Sequence, residues 1–154
     1  MTRKVYEGNY LVYWLTSCAN IAAPTTAEIA AGKLMGTFVT KDGVALNITE
    51  NAVDTASIND TFDAQIGGSW GVKPELTLMR DSGTETNGWD LVVKGTNGFL
   101  LIAQFGAVTA GQKAIVCPAE MGVGKPVNSA ANTVQKFTVN FFVTSTPNMK
   151  AVIA

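Results

Sequence analysis

Three groups of residues in this 154-residue chain have side chains that could do chemistry. Gly122-Val123-Gly124-Lys125 looks like a loop that cradles phosphate. The leading glycine of that motif is missing, and Pro126 stands where a Ser or Thr would bind magnesium. Asp54, Asp60 and Asp63 carry oxygen ligands suited to a hard cation, but their spacing fits no EF-hand, and a solvated acidic loop is the plainer reading. Trp14, Trp70 and Trp89 could stack on bases or sugars. No basic groove accompanies them, which favours packing in a core or interface.

What is missing narrows the chemistry further. The chain has no histidine, so Ser-His-Asp and Cys-His catalysis, His zinc sites and a His pH switch are excluded. Cys18 and Cys117 share no metal-ligand spacing and read as two free thiols. Asn47-Ile48-Thr49 and Asn59-Asp60-Thr61 fit glycosylation acceptors, but Met1 to Asn9 lacks the apolar core of a signal peptide, so a reducing cytoplasm is the expected site of synthesis. No apolar run approaches the roughly 20 residues that span a bilayer, and no membrane insertion is expected. We expect no catalytic, metal or cofactor site.

Composition points elsewhere. Charged residues make up only 15% of the chain, against about 25% in typical soluble domains, which fits a surface partly covered by copies of itself. The net charge of −1 leaves no surplus for gripping a phosphate backbone. Polarity is nevertheless uneven. Residues 1–90 hold 11 acids and 6 bases, while residues 91–154 hold one acid, Glu120, and 5 lysines. Complementary acidic and basic surfaces meeting between subunits would set register.

The elements are mostly strands. Tyr10–Thr16 alternates apolar residues on both faces and reads as a strand covered on each side. Pro24–Gly32 reads as a short helix with a Thr25/Glu28 capping box and a left-handed stop at Gly32. Leu34–Thr40 is a strand ending in the turn Lys41-Asp42-Gly43, and Val44–Thr49 is the next. Glu50–Gly71 is polar and acidic with Ile58, Phe62, Ile66 and Trp70 set apart along it, a long loop or extended hairpin that docks on something. Glu75–Arg80, Phe99–Phe105, Gln112–Pro118 and Thr133–Thr144 are strands, Met121–Asn132 is a loop, and Ser145–Ala154 is a tail. Trp89–Gly95 is ambiguous between strand and helix. The class is mainly β, a sandwich or barrel of antiparallel hairpins in one domain.

Five stretches in order carry a resemblance. They are Ala23–Gly32; Asp54-Thr55-Ala56-Ser57 with Thr61-Phe62-Asp63; Trp89-Asp90-Leu91 through Gly95–Leu100; Ala110–Lys113; and Ala131–Val139 followed by Thr144–Asn148. Together they resemble the major tail proteins, or tail tube proteins, of long non-contractile-tailed bacteriophages, especially those of actinobacteria. Met1–Gly8 matches nothing in that pattern.

The resemblance implies two packed antiparallel sheets with one or two short helices, one of them near Asn87–Lys94, and a long loop. The chain is expected to be a single tail-tube domain with an N-terminal arm (1–8), an extended stacking loop (about 50–71) and a C-terminal tail (145–154). It implies a non-enzymatic virion protein, assembled in the host cytoplasm, whose hexameric rings stack into the tube that conducts DNA during ejection. The implied partners are further copies of the chain, the tape measure protein, tail terminator and tip proteins, and double-stranded DNA that passes without specific binding. Asp54, Ile58, Asp60, Phe62, Asp63 and Trp70 are then the expected contacts between subunits or rings, and Thr77, Thr138 and Asn140 the expected lumen residues. Another virion component, such as a terminator or decoration protein, and an immunoglobulin-like binding module are the competing readings.

Overall fold

The computed structural model describes residues 3–127 and 130–154, so Met1 and Thr2 of the expected arm, and Asn128 and Ser129 of the expected loop, lie outside the described residues. In chain order the elements are β1 (Leu11–Leu15), α1 (Thr26–Ala31), β2 (Lys33–Leu34), β3 (Val39–Ala45), β4 (Ile48–Asp54), β5 (Gln65–Val72), β6 (Glu75–Met79), a single 3-10 turn (Trp89–Leu91), β7 (Asn97–Ala103), β8 (Lys113–Met121), β9 (Lys125–Pro126), β10 (Lys136–Val143) and β11 (Asn148–Val152).

Two sheets form the body, and β10 belongs to both. Its first half pairs with β6, from Lys136↔Met79 to Asn140↔Glu75, and its second half pairs with β8, from Phe141↔Met121 to Val143↔Ala119. The first sheet runs β2-β1-β7-β8, with β11 taking up the rest of the β8 edge; the second runs β3-β6-β10, with β9 beyond β10. Pro118 sits inside β8 where that edge passes from β10 to β11. Its carbonyl accepts from the Thr144 N–H at 3.0 Å. In an antiparallel ladder the missing proline N–H would point to the same side, at the change of partner, where no regular ladder bond is lost.

The core follows from alternation along these strands. Trp14, Leu100, Ile102, Cys117 and Met121 of the first sheet meet Leu76, Leu78, Phe137, Val139 and Phe141 of the second. Leu15, Leu101, Ala103, Val116 and Ala151 point to the opposite face of the first sheet, where Ile29 of α1 and Ile153 cover them. Strands β1, β7 and β8 are therefore buried on both faces, as their continuous apolar runs require. Trp14 packs so closely over Gly98 that a Cβ there would lie 2.5 Å from the indole and 2.6 Å from the Leu15 carbonyl. Burial pushes the Cys117 thiol up to about 11, and neither cysteine is in a disulfide.

Helix α1 has only six residues, too few to persist alone. Its capping box is formed: Glu28 N–H donates to Thr25 Oγ1 at 3.2 Å and Thr25 N–H donates to Glu28 Oε2 at 2.9 Å. These backbone donors, Thr25 first and then Ala19, hold the Glu28 carboxyl below its ordinary range. Gly32 does not make the expected left-handed stop; it is extended at φ −79° and ψ −177°.

Other expectations are corrected as well. Lys41-Asp42-Gly43 is not a turn, because β3 continues through it as a bulge between Val39↔Leu78 and Val44↔Leu76. The chain reverses earlier, where Phe38 N–H and Val39 N–H donate to the Met35 carbonyl. The expected helix over 87–94 is only the 3-10 turn, held by Leu91 and Val92 N–H groups bonding to Gly88 and Trp89. The segment read as a tail contains β11, and Ala151 and Ile153 are buried in the body.

Candidate assembly surface

Residues 48–72 stand apart from this body. Among the described residues, strands β4 and β5 pair only with each other, from Ile48↔Val72 to Asp54↔Gln65. The root is fixed by Asn47, left-handed at φ 47°, and by Lys73 N–H donating to the Leu46 carbonyl at 3.0 Å. Midway, β5 carries one extra residue opposite β4, with Asn51 Nδ2 donating to Ser69 Oγ at 3.0 Å. Gly68 occupies this bulge, and a Cβ there would meet the Asn51 carbonyl at 2.9 Å. Of the two sequence readings, the extended hairpin is the one observed.

Every residue of β4 is exposed. Ile58 is 99% exposed and Phe62 78% at the tip, while Trp70 is 45% exposed near the root. Ile48, Val53 and Ile66 add to the same uncovered apolar surface. A two-stranded hairpin is marginal in water, and one that also leaves six large apolar side chains uncovered is a surface awaiting a partner. Two of the three aspartates serve the turn: Asp54 Oδ1 accepts from Ala56 N–H at 2.9 Å, and Asp60 Oδ2 from Ser57 N–H at 2.6 Å. Among the described residues no group of three or more acidic or cysteine side chains is placed to hold a metal.

Thr77, Thr138 and Asn140 come together on the outward face of the second sheet. Thr77 is directly opposite Thr138, and Asn140 directly opposite Glu75. Oriented to satisfy both neighbours, the Asn140 amide donates to Glu75 Oε2 at 3.1 Å and accepts from Lys125 Nζ at 3.0 Å. One neutral side chain thus joins a carboxylate on β6 to an ammonium on β9. Sequence reasoning missed Glu75 and Lys125, although their place in or beside alternating strands is a usable signal. It also missed Phe142, 59% exposed beside the hairpin root, where it helps line a hollow of about 610 Å³.

At the far end of this sheet Arg80 donates through Nε and Nη2 to Glu85 at 2.9 to 3.2 Å, and Asp81 N–H adds a bond at 2.8 Å. The Arg80 hydrogen bonds, followed by that of Asp81, hold the buried Glu85 carboxyl below its ordinary range. The guanidinium lies 4.2 Å over Trp89, which meets Phe137 edge-on at 4.9 Å. Trp89 is thus a packing residue, and Trp14 is fully buried; Trp70 alone of the three is exposed.

The geometry defines a mainly β protein of two packed antiparallel sheets, with a polar outward face and a projecting apolar hairpin. Its sequence matches the family model described as phage tail tube protein over residues 1–154, and the chain belongs to that family. It is a structural tail protein of the virion. No curated protein matches it. In fold it is similar to a chain of the cryo-EM structure of the anti-feeding prophage (AFP) baseplate, 6-fold symmetrised, with a TM-score of 0.64 at 12% identity over 99% of both chains.

Proposed function

We propose that copies of this chain close into hexameric rings, and that the rings stack into a tube through which DNA leaves the capsid. The observation that carries this reading is the hairpin: a hydrogen-bonded arm with uncovered apolar residues on a body that has its own buried core. The six-fold symmetry named for the similar baseplate structure supports six copies per ring. The second sheet ends in β3 on one side and the two-residue β9 on the other, and pairing such edges between neighbours would close a barrel without free margins. Stacking is a heterologous contact that does not close, so it grows a filament.

In this reading the hairpin residues Asp54, Ile58, Asp60, Phe62, Asp63 and Trp70 make the contact between rings. Thr77, Thr138 and Asn140 face the lumen, where the Glu75–Asn140–Lys125 bridge balances charge and gives DNA little to hold. The tape measure protein and the terminator and tip proteins occupy the inside and ends of the tube, and assembly takes place in the host cytoplasm. Within the N-terminal arm, Lys4 is tied to the body, its Nζ donating to the Phe105 carbonyl at 2.8 Å. Negative-stain microscopy of the concentrated protein tests the proposal. Hollow rings and tubes are expected; single rings that never lengthen would favour a terminator, and monomers at every concentration would overturn it.

A further inference from the structure

If the hairpin of one copy projects toward the next, some surface must receive it, and the charges of this chain narrow the choice. Among the described residues Arg80–Glu85 is the sole ion pair, so the tip carboxylates Asp54, Asp60 and Asp63 have no cationic partner in the subunit. Several hollows open on the described surface. Two of them, beneath the arm and at the hairpin root, mix a lysine with a glutamate. Two others have no charged lining. Another, of about 450 Å³, lies between the end of β7 and β11, with apolar walls from Phe105, Ile115, Met149 and Val152 and two cations, Lys113 and Lys150. Lys4 adds a third positive charge where it bonds to Phe105.

We infer that this hollow is the receptor for the hairpin tip of a second copy: Ile58 and Phe62 enter the apolar floor, and the three aspartates face Lys113 and Lys150. The inference rests on the stacking reading above and names its receiving surface. The hairpin root shares a hollow with Pro147, just before β11, and the receptor runs along that strand from Met149 to Val152. Donor and receptor are made of different residues, so the contact is heterologous and grows head to tail. Apolar anchors would supply affinity and the charges register.

A charge exchange tests it. Lys113→Glu with Lys150→Glu, and separately Asp54→Lys with Asp60→Lys and Asp63→Lys, should each raise the concentration needed for tube growth by about tenfold or more at low salt. All five substitutions in one chain should restore growth. Circular dichroism melts of the lysine-reversed variant should match the parent, since Lys113 and Lys150 are exposed, while the aspartate variants also lose the turn bonds of Asp54 and Asp60 and should show at most a small shift. Lysine-reversed protein that polymerises like the parent, or a five-fold variant that stays dispersed, would overturn the receptor assignment. Failure of the parent itself to form tubes in the same buffer would instead count against stacking.

Discussion

The β7–β8 pair and the β4–β5 pair are built alike and placed in opposite surroundings. Each is an antiparallel ladder with six registered residue pairs. In the first, Leu100, Leu101, Ile102, Val116 and Cys117 are fully buried; in the second, all of β4 and most of β5 face solvent. Backbone hydrogen bonds exchanged with water contribute modestly, so the ladder alone does not make an element stable. Covered side-chain faces do. The body has them within one chain, while the hairpin lacks them until something packs against it.

Substitutions should separate the two regions sharply. Trp14→Ala empties the space between the sheets, over Gly98 and beside Phe141 (5.5 Å between rings), and should cost about 3–5 kcal/mol in chemical denaturation. A loss below about 1 kcal/mol would show that the body is looser than its burial implies. Acid should act next, on one edge of the body. Glu85 is held below its ordinary range, so its stabilisation is complete above the unfolded carboxylate value of about 4.3 and is lost as pH falls through the folded value. The protection factors of residues 81–92, taken against intrinsic exchange at each pH, should fall on acidification before those of β7 and β8, and Glu85→Gln should bring this loosening to neutral pH. The smallest effect on the subunit should come from Ile58→Ser with Phe62→Ser, a change within about 0.5 kcal/mol by denaturation, with tube growth lost in the micrograph. A large destabilisation of the dispersed subunit would place the tip in its own core.

The strands of the body were legible because burial imposes a period. Leu76 and Leu78 alternate with Thr77 and Met79, and Phe137, Val139 and Phe141 with Thr138 and Asn140. The Thr25/Glu28 box marked α1 because both partners are local. What failed depended on distant partners. Lys41-Asp42-Gly43 has turn composition, but pairing with β6 carries the strand through it. β11 forms on β8 more than 25 residues earlier, a register that a short segment containing Pro147 does not announce. The burial of Glu85 depends on the loop folding Arg80 back over it. On the candidate surface, isolated apolar residues in an acidic segment pointed to the hairpin, whereas its bulge and its receiving hollow needed three dimensions.

On this account the hairpin is completed only by another copy. Amide hydrogen exchange measured on dispersed subunits and on assembled tubes addresses it directly. Residues 48–72 should exchange rapidly in the subunit and slowly in the tube, with β7 and β8 protected in both. Hairpin amides already as protected as β7 and β8 in the dispersed subunit would contradict it.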